Sequence, residues 1–190
     1  MLQMFRNLPS LKRTGIAAAA IAAVAALGLS ASPAQAEFEE GDWELRLSGF
    51  AENDVNFDGV IASVNATGGY FFTDQFEAGV RQSFVYSDIA GSNLSGQTNI
   101  FINYHFGGED SALQPFIGAS VGYQYGDAVP DLFLGGPEAG IKYFFDESWF
   151  LFAEVQYLFY FEDVDAADES FDDGEFNWGL GLGVVIDPDA

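Results

Sequence analysis

Beyond Gly41 the chain alternates apolar and polar side chains with a period of two, in eight stretches of about ten residues each. In the first stretch Trp43, Leu45, Leu47, Gly49 and Ala51 share one face, while Glu44, Arg46, Ser48, Phe50 and Glu52 share the other. The pattern predicts strands over Asp42–Glu52, Ala62–Phe72, Phe76–Tyr86, Gly96–Phe106, Pro115–Tyr125, Gly136–Phe145, Trp149–Phe161 and Phe176–Ile186. Each is long enough to cross a bilayer at the usual tilt, for which about 9 to 11 residues suffice. Hydrophobic residues make up 49% of the chain, yet beyond the N-terminal stretch no window is apolar for long enough to form a spanning helix. An all-β, eight-stranded antiparallel up-and-down transmembrane barrel reconciles the two observations.

The connections alternate between short and long. Thr73-Asp74-Gln75 and Asp146-Glu147-Ser148 are tight turns and Gly107 to Gln114 is a modest one. Asn53 to Ile61, Ser87 to Ser95, Gly126 to Gly135 and Glu162 to Glu175 are longer and more polar. Short periplasmic turns and long outer loops place both chain ends in the periplasm. Aromatic residues give the same orientation. Strands returning to the periplasm end on Tyr70 and Phe72, Tyr104 and Phe106, and Tyr143 and Phe145, whereas Phe84, Tyr86, Tyr123, Tyr125, Phe159, Phe161, Phe176 and Trp178 gather at the other rim. Two such girdles suit the headgroup levels of a bilayer.

The first residues read as a leader. Met1 to Arg13 carries Arg6, Lys12 and Arg13, an Ala/Ile/Leu-rich run spans Gly15 to Leu29, and Ala34-Gln35-Ala36 is a small-x-small cleavage site. Cleavage after Ala36 is expected, which divides the chain into a signal peptide over 1–36 and a single barrel domain over 37–190. Three of the six cations leave with the leader and none of the 29 acids does, so the remaining chain has a formal charge of −26. Nucleic acid is excluded as a partner on that field. The absence of cysteine excludes a disulfide framework, a thiol nucleophile and a Cys-ligated metal.

Three runs carry a family resemblance. Gly69 to Gly79, Pro115 to Tyr123 and Glu138 to Phe145 resemble the small eight-stranded outer-membrane β-barrels, the OmpA-like and OmpX-like domains. The likeness extends over Asp42 to Ile186 but rests on architectural motifs, so it implies a fold and a bacterial outer-membrane location rather than a chemistry.

Mechanism, if any, belongs to the inward face. The three cations Arg46, Arg81 and Lys142 share parity with the polar set, as do Glu44, Glu52, Glu77, Glu138 and Glu154. Eight strands enclose just enough space for their own side chains. These eight residues are therefore expected to form a lumen charge cluster, with Lys142 and Glu154 as diagonal neighbours on one hairpin and with Gly179, Gly181 and Gly183 leaving room for Glu44 and Arg46. The cluster is either a structural plug or a gate.

Catalysis and cofactors find little support. His105, the only histidine, lacks a nearby nucleophile in sequence, so no enzyme activity and no cofactor is expected. Asp54, Asn56 and Asp58 match the first half of a calcium loop, D-x-[DN]-x-[DN]-G, but Asn65 stands where a bidentate Glu is wanted, and a hairpin turn at Asp58-Gly59 is the plainer reading. Eight acids between Glu162 and Glu175 would repel anionic lipopolysaccharide unless divalent cations bridge them. The expected partners are outer-membrane lipid and lipopolysaccharide, with divalent cations at the acidic loops, and the barrel is expected to be a monomer. Its function is read as envelope-structural or loop-mediated, with a narrow conduit for small solutes or apolar ligands as the alternative. A secreted soluble ligand-binding barrel is a third reading, because alternation alone does not say which face meets water.

Overall fold

The computed structural model describes residues 38–53, 59–89, 91–106, 111–127, 129–161 and 174–188. Eight strands run β1 (Trp43–Asn53), β2 (Val60–Phe71), β3 (Phe76–Ser87), β4 (Asn93–His105), β5 (Leu113–Gly126), β6 (Leu132–Phe144), β7 (Trp149–Phe161) and β8 (Glu175–Ile186). Each pairs antiparallel with its sequence neighbours, and β1 also pairs with β8, so the sheet closes on itself. Closure leaves no edge strand with unpaired backbone groups, which is what a strand structure in hydrocarbon requires.

Alternation decides which face is which. Leu45, Val80 and Ile141 lie on the outside of the wall, 49%, 50% and 40% exposed, while Arg46, Arg81 and Lys142 are buried within it. The soluble-barrel reading is thereby corrected, since it needs the apolar face inside. An 11-residue strand such as β1 rises about 36 Å along its own axis and, tilted by 45°, about 26 Å across a membrane, matching the apolar band of outer-membrane barrels. Ring contacts mark both rims. At the periplasmic rim Trp43 meets Tyr70 with ring centres 5.2 Å apart and Phe76 meets Tyr104 at 4.9 Å. At the outer rim Tyr123 meets Phe133 at 5.0 Å and Tyr157 meets Phe176 at 4.7 Å.

Several strands run further toward the outer loops than the hydrophobic pattern predicts. β2 begins at Val60, β4 at Asn93 and β6 at Leu132, and β5 continues to Gly126. Hydrogen-bonded pairing continues where the membrane ends, because a ladder in water needs no apolar face. Loss of alternation therefore marks the lipid boundary rather than the strand end. Gly59 has a φ of 131°, the left-handed backbone that its predicted place in the first hairpin connection demands.

Candidate functional site

The lumen is filled in layers. At the end that carries the short turns Phe38, Phe71, Phe144, Phe150, Phe152 and Val185 form an apolar cluster. Phe38 precedes β1 and folds inward, stacking on Phe71 with ring centres 4.3 Å apart and lying 5.6 Å from Phe144. Phe71, Phe144, Phe150 and Phe152 stand at inward positions of their strands, as Lys142 and Glu154 do, so the alternation holds the signal for this layer except for Phe38, which precedes the first strand.

Charged residues sit directly above. Lys142 Nζ donates to Glu44 Oε2 and to Glu77 Oε2, the latter at 3.3 Å. Arg46 bridges β1 to β7, with Nε 2.9 Å from Glu44 Oε1 and Nη1 2.9 Å from Glu154 Oε2. Arg81 holds Glu138 through two nitrogens, at 3.1 and 3.3 Å, and reaches Glu154 Oε2 at 3.4 Å. A two-nitrogen grip fixes the planes of both groups, which a single contact cannot do.

Aromatic faces complete the coordination of the cations. Arg46 lies over Phe101 and Phe152, at 5.3 and 5.4 Å from the ring centres, and Arg81 also lies over Phe101, at 5.3 Å. Lys142 Nζ is 5.0 to 5.5 Å from the centres of four phenylalanine rings, Phe38, Phe71, Phe116 and Phe150. Ring quadrupoles attract a desolvated cation, so the ammonium is held by rings as well as by carboxylates.

Seven of the eight residues picked out by parity converge in this network. Glu52 does not. It is exposed, six residues along β1 from Arg46 and hence roughly 20 Å further toward the outer loops. Lys142 does not pair with Glu154 either. Lys142 faces Phe152 across the β6–β7 ladder and Glu154 faces Gly140, as the turn predicts, but the side chains reach across the lumen to other strands. The side chains that Gly179 and Gly183 make room for stand on β7, not β1: a Cβ at Gly179 would stand 2.9 Å from Glu154 Cγ and one at Gly183 2.2 Å from the Phe150 ring, whereas one at Gly181 would meet both Leu47 O on β1 at 2.3 Å and the Phe152 ring at 2.6 Å. Asp54, Asn56 and Asp58 lie outside the described residues, as do the acids from Glu162 to Asp173.

His105 is a member that charge parity alone does not identify. Its Nε2 is 3.1 Å from Glu77 Oε2, its ring lies against Phe38 and Phe71, and its Nδ1 has no hydrogen-bond partner among the described residues. A Ser-His-acid arrangement needs a hydroxyl on one ring nitrogen and a carboxylate on the other, and here only the carboxylate is in place.

Above the network lies a polar cup of about 290 Å³ that reaches the outer end of the barrel. Arg81 and Glu154 floor it, and Ser48, Asn65, Gln97 and Asn177 are among its walls.

No protein-family model matches the sequence, and comparison with curated proteins gives no match. Solved structures do match. The outer membrane protein OprG from Pseudomonas aeruginosa superposes with a TM-score of 0.54 at 13% identity, covering 78% of this chain and 97% of that one. The N-terminal β-barrel domain of Pseudomonas aeruginosa OprF gives 0.52 at 21% identity, with 78% and 98% covered. The superposed portion is the whole barrel of each neighbour, so the agreement extends to strand number and closure. By its fold the chain is a closed eight-stranded antiparallel β-barrel, the fold that these outer-membrane proteins share.

Proposed function

We propose that the protein is an envelope-structural barrel of the bacterial outer membrane, closed through its centre, whose outer loops carry whatever recognition it performs. The observation that carries this reading is the lumen: three cations and four glutamates locked together above a phenylalanine layer. Such a filling occupies the space that eight strands enclose. Outward apolar residues would contact lipid tails, and divalent cations would link the acidic loops to lipopolysaccharide phosphates.

The alternative is a gated conduit. It is favoured by the charge balance, since Glu44, Glu77, Glu138 and Glu154 outnumber Arg46, Arg81 and Lys142 by one. Planar-bilayer recording separates the readings. A structural plug predicts silence from both the native protein and Lys142→Ala, because the phenylalanine layer remains. Current steps in Lys142→Ala alone would establish the gate.

A further inference from the structure

Four phenylalanine rings surround the Lys142 ammonium, but only three stand on strands: Phe71 on β2, Phe116 on β5 and Phe150 on β7. The fourth, Phe38, belongs to the short segment that precedes β1. Strand rings are fixed by the closed ladder on both sides. Among the described residues, Phe38 is fixed by its own packing and by a small set of hydrogen bonds.

Those bonds form a compact turn. Glu39 N donates to Asp42 Oδ2 at 3.0 Å and Asp42 N donates to Glu39 O at 3.1 Å. Gly41 N donates to Phe71 O at 2.9 Å, tying the turn to the first residue of the periplasmic seal on β2. Gly41 itself has a φ of 107°, a conformation that side chains rarely adopt, and a Cβ there would meet nothing within 4 Å. The turn thus delivers Phe38 into the barrel mouth, where it is 5% exposed.

We propose that Phe38 is a detachable stopper, hinged at the Glu39–Asp42 turn, that controls access from the periplasmic side to Lys142 and its carboxylates Glu44 and Glu77. With the ring seated, the ammonium is sealed. With the ring withdrawn, the closed wall persists while water and small solutes reach the lower end of the ion network. The device needs no strand to move, because Phe38 and Glu39 precede the backbone bonds that join Gly41 and Asp42 to Phe71 and the β1–β2 ladder that follows from Trp43. It rests on the closed-lumen reading.

The composition of the chain supplies the assay. Lys142 is the only lysine beyond Lys12. Protein purified from membranes in detergent is treated with a water-soluble, sulfonated N-hydroxysuccinimide ester, and acylation of Lys142 is located by mass spectrometry, with heat-modifiable gel migration reporting the intact barrel. The native protein is expected to leave Lys142 unmodified. Phe38→Ala is expected to raise its rate of modification by about a hundredfold, the lower end of what truncating a buried phenylalanine does to an opening equilibrium. Gly41→Ala strains the turn and touches no neighbour, so it should raise the rate by a smaller factor with every ring retained.

Rapid modification of Lys142 in the native protein overturns the proposal, as does protection in both folded variants. Loss of the barrel in both variants overturns it too, since a stopper is dispensable to the wall. Failure here with a silent bilayer leaves the plugged lumen standing, whereas channel steps in the native protein remove the plug itself.

Discussion

Arg46 and Arg81 grip the same atom: Glu154 Oε2 lies 2.9 Å from one guanidinium and 3.4 Å from the other. One carboxylate on β7 thus joins β1 to β3 through the centre of the barrel, and both bonds depend on it. Breaking a buried pair from one side is expected to cost about 3 to 5 kcal/mol, because a charge is left without compensation. Glu154→Gln should therefore destabilise the barrel by that order, read as a lowered urea midpoint in detergent. Arg81→Gln also strands Glu138, so adding it should fall short of the sum of the single changes only by the worth of the shared 3.4 Å contact.

The lipid-facing wall gives the opposite sensitivity. Ile141 points outward from β6, next to inward Lys142. Ile141 is the outward residue next to Tyr143 of the aromatic girdle, so Ile141→Arg should cost about 1 kcal/mol, less than the same change at the bilayer midplane. The folded fraction recovered from lipid vesicles, scored by gel migration, should fall accordingly. An equal fraction for variant and native protein would contradict the assigned orientation.

His105 is expected to be structural. With a carboxylate at Nε2 and no partner at Nδ1 among the described residues, it has no hydroxyl to activate. Outer-membrane lipids incubated with the native protein should stay fully acylated, as followed by mass spectrometry. His105→Phe keeps an aromatic ring among Phe38, Phe71 and Phe116 but strands Glu77 of one bond, and should cost about 1 to 3 kcal/mol. Deacylated lipid that vanishes with this substitution would show an enzyme.

Asp42 gives the turn before β1 a dependence on pH. Burial raises its carboxyl above the usual range, and the neighbouring Asp187 and Glu39 push the same way, against the hydrogen bond from Glu39 N. An acid whose folded pKa is raised binds its proton more tightly when folded. Its contribution is fully present below the ordinary value of about 4 and is lost as pH climbs through the raised one. Asp42→Asn should abolish that component, so the difference in urea midpoint between variant and native protein should shift in favour of the variant as pH rises above about 4.

The alternation of the first strand revealed more than its own conformation. Glu44 and Arg46 among Leu45 and Leu47 already separate lumen from lipid, and the turn at Asp146–Ser148 fixes the opposition of Lys142 to Phe152 that the ladder contains. Pair partners were not readable in the same way. A strand pattern names neighbours along the wall, whereas long side chains in a narrow barrel meet across its axis, so Lys142 finds Glu44 and Glu77 on strands far off in sequence. Phe38 had no periodic signal at all, since it stands before the first strand and only the folded turn at Gly41 aims it inward. Glu52 has the right parity at the wrong height, and parity carries no height.

Arg46, Arg81 and Lys142 are the only basic residues beyond Arg13, and all three are sealed within the lumen. Trypsin cuts only after such residues, so beyond Arg13 the assembled barrel offers it no site, and an unfolded chain is severed there at three points. Digestion with that one protease therefore counts assembled molecules directly.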